Sequence, residues 1–273
     1  MMKLKGKNQI RKFRRIAQAL KSKIAQYKGV AGIIFVGGLV RGFADKYSDV
    51  DIIVLLSERN ESLRKAIRKI GLDEQKRSRI DIDLEVHLFE DFKKRKWNEM
   101  LRWDFSRAEI VFDPRGEIRR LVREKMNVPK SFWIKRIVID GEHLKWYCCP
   151  TQEGIGSMVD LWIDRDDLVS AHYCLSHAFD LLIRIIFALN NEFLPAPKWR
   201  IFYSYKLKWL PKDYRPLLKK VVTVRTLSTG DLRRRLKALQ IMWAETLSKL
   251  KEESGLTPQL ISKYYVERVL RQT

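Results

Sequence analysis

Two aspartates spaced two residues apart, Asp49 and Asp51, lead directly into an apolar run at residues 52–56. On a β-strand, side chains at i and i+2 share a face, so both carboxylates point the same way. Neighbouring carboxylates repel unless a positive charge sits between them, and their hard oxygens on a rigid strand suit hard divalent cations, Mg²⁺ above all. Upstream, the apolar run 33–36 reads as a buried strand that Gly37-Gly38 breaks. A short segment carrying Arg41 and Gly42 follows, then a polar turn at 44–48 that ends on Ser48. A glycine backbone lets N–H groups approach phosphate oxygens, and a helix starting there adds its positive end. The chemistry implied is a phosphate cradle beside a cation-binding pair of carboxylates.

A second acidic segment lies downstream. Residues 79–89 alternate strictly, with Asp81, Asp83, Glu85 and His87 on one face and Ile80, Ile82, Leu84, Val86 and Leu88 on the other. A strand facing water also carries polar residues, but three carboxylates abreast call for cations between them. Periodicity does not rank the three acids, because all of them point the same way.

The spaced set Gly37, Gly38, Arg41, Gly42, Ser48, Asp49 and Asp51, lying between two apolar strands, resembles the nucleotidyltransferase superfamily typified by DNA polymerase beta. Gly38 stands where serine is commoner, which removes a hydroxyl that would hold a triphosphate; some template-independent members also carry Gly-Gly. The resemblance implies transfer of a nucleoside monophosphate from an NTP to an acceptor hydroxyl or phosphate, with pyrophosphate released. It implies two Mg²⁺ ions held by Asp49, Asp51 and a third carboxylate on the neighbouring strand. Asp83 is the first choice for that carboxylate, Glu85 the second with its longer reach, and Asp81 the third. Gly37, Gly38, Arg41 and Ser48 are then the nucleotide-binding residues. Alignment and charge stabilisation supply the acceleration in such a site, so no protein nucleophile is needed. In the second half, Trp162, Arg165, Ala171-His172, residues 187–190 and Pro197-Lys198-Trp199 resemble the helical C-terminal domain of many prokaryotic nucleotidyltransferases.

Composition narrows the partners. The chain has 273 residues, 45% of them hydrophobic, and 8 tryptophans, which is enough for a buried core and argues against disorder. Lys and Arg number 55 against 33 acids, a formal charge of +22 that points to a polyanionic partner. RNA, with a tRNA-like end, is the favoured acceptor. The alternatives are a small-molecule acceptor of the antibiotic-modifying kind, a non-catalytic RNA-binding protein of the same fold, and a partner-dependent regulator. Three cysteines without zinc or disulfide-framework spacing fit a reducing cytosol and a cytoplasmic protein. The most apolar stretch, 181–189, is too short to span a bilayer and contains Arg184, so no membrane association is expected. Oligomeric state is not legible.

The elements that must position these residues follow from periodicity. Residues 3–28 hold ten Lys or Arg and no acid, with apolar positions at helical spacing, and so predict an amphipathic helix whose Arg11, Lys12, Arg14 and Arg15 face solvent or phosphates. Helices are expected at 58–70, ending at Gly71, and at 90–102, followed by a strand at 108–112. Pro114 reads as the first residue of a helix running to 126. Val128-Pro129 marks the domain boundary. Residues 137–139 are open between strand and helix, and Gly154 and Gly156 suggest a loop. From 165 onward the pattern is helical, with Tyr173, His177, Asp180 and Arg184 on one stripe that serves either internal hydrogen bonds or an acceptor site. Residues 198–220 interleave eight basic residues with six aromatics, and here Lys198 is the candidate for nucleotide contact. The last helices follow Ser228-Thr229-Gly230-Asp231, an N-cap region. The expectation is an α+β chain: a small mixed sheet with helices at 1–128 as the catalytic domain, then an all-helical acceptor-binding bundle at 129–273.

Overall fold

Four strands rich in Ile, Val, Leu and Phe form one mixed sheet in a computed structural model that describes residues 6–150 and 155–268. They are β1 (Val30–Phe35), β2 (Val50–Leu56), β3 (Ile82–Leu88) and β4 (Glu109–Phe112), in the order β3-β2-β1-β4. β1 runs antiparallel to β2 and β4, whereas β2 and β3 are parallel. Parallel neighbours need a crossover connection, and here it is α3 (Glu61–Ser78).

Alternation along the strands separates two cores. Ile33, Phe35, Ile52 and Val54 pack with α1 (Ile10–Ile24) and α3 on one face. Ile34, Ile53 and Leu55 pack on the other face with residues of α4 (Phe89–Lys94), α5 (Glu99–Phe105) and α6 (Glu117–Met126). Between β1 and β2 lies only the five-residue α2 (Gly37–Arg41) and a turn. These elements belong to a first compact unit, Met1–Val128; a second comprises Pro129–Thr273. The fold class is α+β, with a small mixed sheet followed by a helical unit.

Three expectations for the first unit need correction. The helix expected at 58–70 does not stop at Gly71; α3 continues to Ser78 and ends at Arg79, which takes the left-handed conformation. Gly71 is buried against β3, where an added Cβ would meet Leu84 Cδ1 at 3.3 Å, so that glycine serves close packing rather than termination. The helix expected at 90–102 is two helices. Trp97 leaves the helical path to bury its ring between Phe92 and Phe105, with centroids at 5.5 and 4.4 Å, and Asn98 caps α5 by accepting from the Leu101 N–H. Pro114 does not open α6 either. Residues 113–116 form a turn, Gly116 at φ 70° precedes the helix, and the Asp113 carboxylate accepts from the Arg119 N–H at 3.0 Å.

The regular elements described in the second unit are helices: α7 (Lys130–Cys148), α8 (Met158–Asp164), α9 (Leu168–Leu189), α10 (Pro197–Ser204), α11 (Tyr214–Val222), α12 (Thr229–Ser254) and α13 (Pro258–Arg268). Residues 137–139, left open between strand and helix, lie inside α7. Gly154 lies outside the described residues, as do residues 3–5 of the basic N-terminal segment. A capping box between Ser157 and Asp160 starts α8, and Ser228 caps α12 as expected. α9 is long and apolar enough to cross a membrane by length and composition, longer than the 181–189 stretch suggested. Its buried side chains pack against α7, α8 and α12, which makes it the central helix of this unit.

Candidate active site

The corner between α2 and β2 is built around one carboxylate. Gly37 opens α2 at φ 62°, and a Cβ there would sit 1.9 Å from Asp51 Oδ2. Only glycine meets both demands, the left-handed backbone and the carboxylate pressed against its α-carbon. The Gly38 N–H then hydrogen-bonds to Asp51. The glycine pair therefore seats Asp51 first. Ser48 closes the preceding turn: its hydroxyl donates to Asp45 Oδ1 at 3.3 Å and accepts from the Asp45 N–H at 3.0 Å. Below it, Asn8 ties the lead into α1 to this loop, accepting from the Ala44 N–H and donating to the Gly42 carbonyl.

Strand register brings the second acidic segment alongside. Asp51 pairs directly with Asp83, and Ile53 with Glu85. Asp81 lies just before β3, where its carbonyl accepts from the Val50 N–H at 2.9 Å. Glu85 is occupied by His87, whose Nε2 lies 2.6 Å from its carboxylate. That hydrogen bond, opposed by partial burial and helped by the charges of His87 and Arg95, holds Glu85 below its ordinary pKa. Of the three acids that periodicity left equivalent, Asp83 is the one in register with Asp51.

Two residues that the sequence reading passed over complete the corner. Trp103 and Asp104 lie on α5, on the sheet face that carries Asp51. Arg41 lays its guanidinium over the Trp103 ring at 3.4 Å from the centroid and donates to the Trp103 carbonyl at 2.5 Å. Asp104 is close enough for its charge to act on Asp51. The helix expected to end at 102 stops one residue short of Trp103, because the buried aromatic kink at Trp97 leaves no mark in helical periodicity.

Electrostatics concentrates on the same place. Burial, then the charges of Asp49, Asp83 and Asp104, push Asp51 up to about 7 against the pull of the Gly38 hydrogen bond. Burial, then Glu85, Asp49 and Asp81, raise Asp83 as well. Like charges crowded on neighbouring strands are relieved by a divalent cation, and carboxylate oxygens are the donors such an ion takes. The donor set thus fits one, although among the described residues no three His, Cys, Asp or Glu side chains are drawn together around a common point.

Other sequence candidates lie elsewhere. Arg11, Lys12 and Arg15 are exposed on α1, and Arg14 pairs with Glu109 at 2.5 Å. α1 packs on the sheet face opposite the one bearing Asp51. Lys198 is exposed on α10 of the second unit. The stripe on α9 is spent internally: Arg184 pairs with Asp140 at 2.9 Å, Asp180 with Arg200, and His177 meets Tyr147 edge-on. Tyr173 is exposed.

Known families agree with this geometry. Residues 13–124 match the family model described as nucleotidyltransferase domain, which fits a nucleotidyltransferase of the DNA polymerase beta type. A second family model, described as a domain of unknown function (DUF4037), matches residues 98–200. Among solved structures, the chain is similar to a nucleotidyltransferase-like protein from Exiguobacterium sibiricum 255-15, at 15% identity over 95% of this chain and 80% of that one, TM-score 0.45. It is also similar to two mutants of the toxin–antitoxin MntA-HpeT. One has 13% identity over 46% of this chain and 94% of that one, the other 12% over 46% and 93%, both with TM-score 0.32. No curated protein sequence matches.

Proposed function

We propose that this chain moves a nucleoside monophosphate from an NTP to a hydroxyl of an RNA acceptor and releases pyrophosphate. The observation that supports it best is the direct pairing of Asp51 with Asp83 beside the Gly37-Gly38 corner. Asp49, Asp51 and Asp83 would hold Mg²⁺, which when bound supplies positive charge to the triphosphate and acidifies the attacking hydroxyl. Asp83, exposed on the edge strand, would accept the acceptor's proton. Gly37 and Gly38 keep side chains away from the corner, so the phosphates can approach the backbone. Arg41 has its guanidinium engaged by Trp103, so its part is to hold α5 against the corner. Acceptor binding is assigned to the helical unit, and RNA is favoured over small cationic acceptors by the charge of +22.

Labelled NTPs, Mg²⁺ and total RNA test the reading. The expected result is label in a discrete RNA species and pyrophosphate in solution. Asp49→Asn, Asp51→Asn and Asp83→Asn should each lower the rate by about 10²–10³ or more, the scale of losing one preorganised electrostatic group. Their circular dichroism should match the parent. Undiminished turnover in Asp51→Asn would overturn the site.

A further inference from the structure

Nucleotidyl transfer leaves unused a pair of adjacent thiols at the end of α7. Cys148 and Cys149 are both free, with their sulfurs 3.7 Å apart. Cys148 closes the helix fully buried, whereas Cys149 leaves it in an extended conformation, φ −118° and ψ 149°, and is half-buried. The backbone on both sides is pinned: the Cys149 N–H donates to the Lys145 carbonyl at 2.9 Å, and the Gln240 amide donates to the Cys148 carbonyl at 2.7 Å. The two sulfurs are also chemically unlike. A hydrogen bond shared with Cys148, the charge of Lys145 and a hydrogen bond from Trp243 outweigh burial and lower the pKa of Cys149; the same shared hydrogen bond and burial push Cys148 well up. Cys149, half-buried where Cys148 is fully buried, is thus the more accessible sulfur and the one whose thiolate is favoured. Exposure and thiolate character beside a second thiol are what distinguish redox-reactive cysteines. The third cysteine, Cys174, is buried on α9, and burial raises its pKa.

We propose that Cys149 is a peroxide-reactive cysteine and that Cys148 resolves it, closing a reversible disulfide between adjacent residues. The Cys149 thiolate attacks one oxygen of hydrogen peroxide; an S–O bond forms, the O–O bond breaks, and the departing hydroxide takes a proton from solvent to leave as water. Sulfur is thereby oxidised to a sulfenic acid. The Cys148 sulfur then attacks it; the S–S bond forms, the S–O bond breaks, and the hydroxyl leaves with the Cys148 proton as a second water. Two thiols and one peroxide become a disulfide and two waters. Closing to an S–S bond of about 2.05 Å requires the last turn of α7 to rearrange. A strained bridge of that kind is readily reduced, which suits a transient mark where thiols are otherwise kept reduced. The rearrangement acts on the Gln240 hydrogen bond and on Trp243, both on α12, so α12 senses the oxidation state.

Exposure of the full chain to stoichiometric hydrogen peroxide, followed by non-reducing intact-mass analysis and thiol counting, tests this. The parent should lose two hydrogens and two of its three thiols, gain no oxygen, and recover fully with dithiothreitol. Cys148→Ser should stop at a sulfenic acid on Cys149 that dimedone traps, and Cys149→Ser should keep both remaining thiols. Cys149, half-buried and with a lowered pKa, should react faster than the buried Cys174 in the same chain. Tryptophan fluorescence should shift on oxidation of the parent, and the shift should be lost in Trp243→Phe and in either cysteine variant. Equal thiol loss in Cys149→Ser overturns the proposal, and so does a parent product that carries oxygen on Cys149 instead of a disulfide.

Discussion

Asp51 is costly to the fold that holds it. A carboxylate raised to about 7 in the folded protein binds a proton more tightly there than in the unfolded chain, where its pKa is about 3.8. Between those values the folded state carries the extra proton, so stability falls as pH rises through about 4 to 7 and stays low above. Three pH units correspond to about 4 kcal/mol, an upper figure because the side chain keeps some solvent contact. Asp51→Asn should therefore melt higher than the parent at pH 8 in the absence of divalent cations, with the gain fading by pH 5. The substitution keeps an oxygen for the Gly38 N–H and removes only the charge. Thermal melts at the two pH values in a chelator check it, and a parent that melts higher at pH 8 overturns it. A stabilised but inactive variant is the signature expected of a strained functional residue. Gly37 behaves oppositely: alanine there would bring a methyl into the Asp51 carboxylate on an unfavourable backbone, and should cost several kcal/mol by thermal melts.

At the scale of elements, what the sequence made legible was periodic and local. The strands containing Asp51 and Asp83 were readable because alternation fixes which side chains share a face. Their pairing was not, since strand register depends on contacts across the sheet; Asp83 stood out from Asp81 and Glu85 only once β3 lay beside β2. Gly71 was misread because a glycine that ends a helix and a glycine that admits a neighbour look alike in one dimension. Trp103 and Asp104 were missed because the kink at Trp97 is driven by ring packing with Phe92 and Phe105 rather than by a breaker residue. The Gly71 assignment makes a prediction. Valine at this position would thrust two methyl groups at Leu84, pushing α3 away from β3, and should cost about 1–3 kcal/mol. Nucleotidyl transfer should weaken with stability, since Asp83 rides on β3. Chemical denaturation of Gly71→Val measures the first effect, and a variant as stable as the parent would show that α3 does not rest on β3 at this glycine.

For the whole molecule, charge is the property that no single residue expresses. An excess of 22 cations is spread along the chain, and Arg11, Lys12, Arg15 and Lys198 are exposed in two different units. The candidate site itself is acidic, so this excess does not serve the carboxylate corner: the α1 cations lie on the sheet face opposite Asp51. A nucleotide needs few cations, whereas a polynucleotide neutralises many and releases a counterion for each. The acceptor can therefore be distinguished by ionic strength. If RNA engages about six to ten of these charges, its affinity should fall by about 10³–10⁵ between 50 and 200 mM salt. NTP binding, read from the same protein in the same buffers, should change far less. Filter binding of RNA and calorimetry of NTP across that range give the two slopes. A steep RNA slope beside a shallow NTP slope identifies a nucleic-acid acceptor. Two shallow slopes would leave the charge unconnected to the acceptor, and the RNA assignment would fall while the carboxylate site stood.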